Sequence, residues 1–163
     1  MVVTTGRGVR TATGTGTLAA LVLVLAFGNP SYHDWAARST DANSALGFFL
    51  RELGWPGWTF SSAVPLRDLI AADLKAILLI AFTAMFLMVL PGSQLSSARG
   101  TLSGLFAGWG SYIFAGALAG FLAAFLQAHA SLLGAYHWAA DGAVYGLFAG
   151  WIVGLATLGA RRT

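Results

Sequence analysis

Apolar positions along this chain gather into long runs instead of alternating with polar ones, and the runs set the expected architecture. A helix rising about 1.5 Å per residue needs about 20 apolar residues to cross roughly 30 Å of hydrocarbon. Runs of that kind predict transmembrane helices over about 11–28, 70–90, 102–126 and 143–160. The first is short and rich in threonine, and its unbroken stretch 18–27 closes on Gly28-Asn29-Pro30, a helix stop. Because it follows Arg7 and Arg10, a secretory signal peptide is the competing assignment, but no clear small-x-small cleavage site follows. The second run stops at Pro91-Gly92, and Pro65 predicts an earlier start for its helix.

Between the first two runs lies the one sizeable polar segment, 29–69, too short to bury a core of its own. Within it, Leu46, Phe49, Leu50 and Leu53 recur at helical spacing opposite Arg51 and Glu52. That pattern predicts an amphipathic helix over 44–53. Trp55-Pro56-Gly57-Trp58 then predicts a turn. Trp55 and Trp58 are expected as interfacial anchors, with contact to a ligand or partner the alternative.

Composition agrees with a membrane protein. The chain has 163 residues, 57% hydrophobic and 9% charged, against about 25% charged in an average soluble domain. A single membrane domain over 1–163 follows, all-α, with lipid as its main solvent. The charges are segregated. Arg7, Arg10, Arg99, Arg161 and Arg162 flank one side of the four runs, while all 6 acidic residues and all 3 histidines fall on the other, together with Arg38, Arg51, Arg67 and Lys75, which lie in a long segment where the positive-inside bias is weaker. The positive-inside bias then makes both termini cytoplasmic and the 29–69 segment extracytoplasmic. The net charge of +3 comes from scattered residues without a basic stripe, so nucleic acid is not an expected partner. With no Cys, disulfides, thiol redox chemistry and iron–sulfur ligation are excluded.

The last two runs carry a strong small-residue pattern. Gly100, Gly104 and Gly108, continued by Gly116 and Gly120, form one column, and Gly142, Gly146, Gly150 and Gly154 form another. Such columns let helix backbones approach closely, the substitute in lipid for a hydrophobic drive. The hexapeptide Gly-Leu-Phe-Ala-Gly-Trp occurs at 104–109 and again at 146–151. Shared packing geometry is the expected meaning, with a transporter-type inverted repeat the alternative.

Candidate chemistry is sparse. The apolar cores of the four runs hold no Asp, Glu, Lys, Arg or His, and Asp73 and Lys75 at the entrance of the second are expected to snorkel or pair at the interface. His137 and Asp141 stand four residues apart and, with His129, are the candidate metal ligands. No catalytic motif is present, no cofactor is implied, and Ser111 and Tyr112 are expected to bond between helices. These observations favour a non-enzymatic accessory subunit that packs against other integral membrane subunits of a respiratory, transport or cell-envelope complex. Heavy use of Ala, Gly, Leu and Arg with a single Lys points to a bacterial plasma membrane. The alternatives are a small homo-oligomeric transporter or channel, with Thr11, Thr13, Thr15 and Thr17 at one mouth, and a membrane enzyme using the outer His and Asp residues.

Overall fold

A computed structural model describes residues 5–58, 65–89, 101–127 and 129–159. Pro91, Gly92, Arg99, Gly100, Arg161 and Arg162, and the expected run ends Leu90 and Ala160, lie outside the described residues. The described chain is all-helical: α1 (Thr5–Phe27), α2 (Pro30–Ser39), α3 (Ala45–Glu52), α4 (Leu66–Val89), α5 (Thr101–Ala124) and α6 (Leu132–Gly159).

Among the described residues three helices are long and apolar enough to cross a membrane: Leu66–Val89, Leu102–Ala124 and Leu132–Gly159. Ala12–Phe27 passes the same test only together with Pro30–Ser39, from which it is bent by 63°. The bend has a local cause. Asn29 Nδ2 donates to the Ala26 carbonyl at 2.7 Å, closing α1, while its Oδ1 accepts from the Tyr32 amide at 2.9 Å, opening α2. One side chain thus caps two helices, and Pro30 in the first turn of α2 fixes the new direction. Thr17 and Thr13 of α1 give their hydroxyls to backbone carbonyls, Thr17 to Thr13 at 2.8 Å and Thr13 across to Leu87 at 3.3 Å.

The four long helices close into a bundle in the order α1, α4, α5, α6 and back to α1, with α5 against α6 the most extensive pairing. Sequence numbers run in opposite directions along that pairing. A Cβ on Gly116 would strike the Gly142 carbonyl, one on Gly120 the Trp138 carbonyl, and one on Gly146 the Ile113 Cα at 2.5 Å. Lower down, a Cβ on Gly150 would lie 2.7 Å from the Trp109 ring, and one on Gly154 would lie 2.7 Å from the Leu105 carbonyl. The helices are therefore antiparallel, with backbone against backbone along most of their length, a distance only glycine allows. The two hexapeptide copies meet across this seam. Trp109 Nε1 donates to the Leu147 carbonyl at 2.9 Å, yet Trp151, its counterpart in the second copy, is 42% exposed. The copies share a sequence but not an environment.

α6 begins at Leu132, about three turns before the apolar run at 143. His137 and Asp141 lie inside it because backbone hydrogen bonding continues through polar residues whose side chains face outward. The Ser131 hydroxyl supports this start by accepting from the Gly134 amide at 3.0 Å.

A pair of alanine substitutions tests the seam. Gly116→Ala should lower stability by about 1–3 kcal/mol, the usual cost of overpacking. Gly110→Ala, where an added Cβ has nothing within 4 Å, should be neutral or gain up to about 1 kcal/mol in helix propensity. Thermal unfolding in mild detergent reads both, and equal midpoints for the two variants would refute backbone contact at Gly116.

Candidate functional site

The polar and aromatic groups converge at one end of the bundle, under a cap formed by α2, α3 and the turn that follows. The cap is tied together internally. Tyr32 Oη donates to the Leu50 carbonyl at 2.7 Å. Arg51 reaches back to close the C-terminus of α2, with Nη2 on the Ala37 and Thr40 carbonyls at 3.1 and 2.7 Å. A guanidinium suits this task because its fork of donors meets several orphan carbonyls at once. On the bundle side, Phe48 and Phe49 of α3 meet Phe148 of α6 edge to face at 5.5 and 6.4 Å.

After α3 the chain tightens, with Gly54 and Trp55 amides donating to the Arg51 and Glu52 carbonyls at 3.1 and 2.9 Å. The turn then folds into the end of the bundle. Pro56 is fully buried, the Trp58 amide donates to the Gly28 carbonyl at 2.9 Å, and Trp58 Nε1 donates to the Val24 carbonyl at 3.2 Å. Trp55 lies flat on Tyr145 with ring centres 5.4 Å apart and an angle of 23°. It also rests on Gly142, where an added Cβ would lie 2.9 Å from the indole edge. Beneath it Tyr145 and Tyr112, both fully buried, share one hydrogen bond between hydroxyls at 2.9 Å.

Lys75 binds this arrangement to α4. Its Nζ donates to the Trp55 carbonyl at 2.8 Å and stands 4.6 Å from the centre of the Trp55 ring and 5.1 Å from that of Trp138. The ammonium thus touches the turn and α6 at once. A cation over an indole is worth about 0.5–1 kcal/mol when exposed and about 2 when desolvated. His33 of α2 stands beside the cluster, exposed on one side and set against Gly54 and Gly57 on the other, where added Cβ atoms would come within 2.8 Å of Cε1 and 2.7 Å of Nε2. Loss of water on that side, then the Lys75 charge, lowers the His33 pKa from its ordinary 6.5, partly opposed by a bond with the Gly54 backbone and by Asp34. Burial, then the like charge of Asp141, raises that of Glu52.

The candidate ligands His129, His137 and Asp141 are not brought into one group. Among the described residues no group of three His, Cys, Asp or Glu side chains is placed to hold a metal. Asp141 and His137 are exposed on α6, His137 against the Tyr136 ring at 6.0 Å, and His129 lies in the connection before α6. Trp55 and Trp58 are half-buried against the helices. Of the two expected interhelical donors, Tyr112 does bond across to Tyr145. The Ser111 hydroxyl returns to Ala107 of its own helix at 2.7 Å. Gly104 lines a small cleft at the opposite end of the bundle, together with Thr13, Leu87, Gly108 and Thr157. Lys75, His33, Trp138 and Tyr145 were not singled out as one site. The available signal was a lone lysine at the head of an apolar run, preceded by a turn with two tryptophans. No family model, curated protein or solved structure matches this chain.

Tyr145→Phe keeps the ring under Trp55 but strands the Tyr112 hydroxyl. It should cost about 1–3 kcal/mol, and the double Phe variant should recover part of this. A single variant as stable as the parent would show the hydroxyl pair to be inert. The cap should also respond to acid. His33 has a lower pKa when docked than when free, so the docked cap binds fewer protons and loses stability as pH falls through 6.5. Glu52 acts oppositely, favouring the docked cap at the acid end of its range and losing that contribution as pH rises through its raised pKa. Limited proteolysis of the cap between pH 8 and pH 5.5 (values of about those magnitudes bracket the histidine range) should show faster cleavage on acidification. His33→Gln should flatten the profile.

Proposed function

We propose that the chain is a non-catalytic accessory subunit of a larger bacterial plasma-membrane complex, spanning the bilayer four times with both ends cytoplasmic and the cap extracytoplasmic. The observation that carries this reading is how the polar groups of the interior are used. Lys75 bonds to Trp55, Tyr112 to Tyr145, Thr83 to Leu79, Ser111 to Ala107 and Thr157 to Gly154. The first two join the cap and the helices, and the other three return to carbonyls of their own helices; each is engaged within the protein, whereas transport and catalysis need polar groups that a substrate can reach.

The outer faces support the same reading. Large apolar side chains stand exposed on every long helix, among them Leu25, Ile77, Phe114 and Leu155, and they suit lipid and the helices of neighbouring subunits. The segregation along the sequence of Arg7, Arg10, Arg99, Arg161 and Arg162 from all 6 acidic residues supports the orientation. The abundance of Ala, Gly, Leu and Arg beside a single Lys supports a bacterial source.

Purification of the tagged chain from its native membrane in mild detergent, followed by mass spectrometry, tests the proposal. Larger integral membrane proteins in fixed stoichiometry are the expected result. Recovery of the chain alone as a defined homo-oligomer would overturn it in favour of a small transporter or channel.

A further inference from the structure

We infer that residues 29–58 form a hinged lid over the end of the bundle and that Lys75 is the latch that keeps it shut. The inference stands apart from the partner question and depends only on how the cap is attached.

The lid is one body with a defined neck. α2 and α3 are tied to each other by Tyr32 on Leu50 and by Arg51 on the end of α2. The two strands of the neck are tied to each other where Trp58 donates to Gly28 and Val24. Away from the neck, the lid meets the helices through apolar and aromatic contacts, with Pro56 fully buried and Phe49, Leu50 and Trp55 packed on the core. Phe48 and Phe49 touch Phe148 edge on, Leu53 is 5% exposed in the core, and Trp55 is stacked on Tyr145. Among the described residues Lys75 is the cation joining that set, bonded to the lid backbone and facing a ring from the lid and a ring from α6.

One feature opposes closure and makes the lid releasable. Two hydroxyls carry two protons, and among the described residues Tyr112 and Tyr145 share a single hydrogen bond. Opening would give water to the remaining hydroxyl donor, while closing gains ring stacking and the hold of the Lys75 ammonium on one carbonyl and two indoles. Opposed terms of this kind set a local equilibrium below the global unfolding free energy. Cutting the latch shifts it toward open, and the surface uncovered is the Tyr112–Tyr145 pair with the flat slot on Gly142 that Trp55 fills.

The chain has no cysteine, so a single introduced thiol is a clean reporter. Leu53→Cys places it in the lid and Val153→Cys, at a position with 0% exposure, places it in the bundle. Maleimide labelling in detergent is compared for each reporter with Lys75, Lys75→Met and Lys75→Arg. Lys75→Met should speed labelling at position 53 by about tenfold, the factor expected from losing a partly desolvated cation contact. Labelling at position 153 should stay unchanged, and Lys75→Arg should hold the lid nearly as slow as the parent. Three results would each overturn the latch: no change at position 53, an equal acceleration at position 153, or Lys75→Arg labelling as fast as Lys75→Met.

Discussion

The close approach of α5 and α6 is the constraint from which the rest of this structure follows. Gly116 against Gly142, and Gly120 against the Trp138 carbonyl, bring two backbones to a separation that any Cβ would forbid. In lipid there is no water to drive helices together, so close van der Waals contact over many residues must do it. Once the seam is fixed, its side chains have no freedom of register. Trp109 falls on Gly150 and reaches Leu147, and Tyr112 falls opposite Tyr145.

That register also creates the platform for the cap. Gly142 leaves a flat floor beside the Tyr145 ring, and Trp55 occupies it. A segment without a core of its own borrows one by inserting its tryptophans and Pro56 into the end of the bundle. The desolvated backbone of the turn then finds donors nearby, the Trp55 carbonyl from Lys75 and the Gly28 carbonyl from Trp58. An unpaired buried carbonyl costs free energy comparable to a lost hydrogen bond, so these contacts are part of the fold.

Lys75 shows how one residue changes meaning between chain and structure. At the head of an apolar run a lysine is expected to snorkel toward water. Here its stem lies along α4 and its charge ends between two indoles, on a carbonyl of the cap. Nothing in the local pattern separates these outcomes, because Trp138 lies far along the chain and meets Lys75 only after α4, α5 and α6 have packed.

The long helices and the small-residue faces were legible in the sequence, because each depends on periodicity within one segment; a helix near 44–53 was legible too, though Leu46, on its expected apolar face, is 68% exposed. α3 occupies Ala45–Glu52, inside the segment 44–53, and the glycine columns of α5 and α6 face each other. The true start of α6 and the 63° bend after α1 were less legible, since outward polar residues do not interrupt backbone hydrogen bonding and the bend depends on Asn29 serving two helices. The cluster of His33, Trp55, Lys75, Trp138 and Tyr145 was decided by tertiary structure alone. It joins α2, the turn after α3, α4 and α6, and no spacing along the chain encodes a meeting that depends on helices crossing in space.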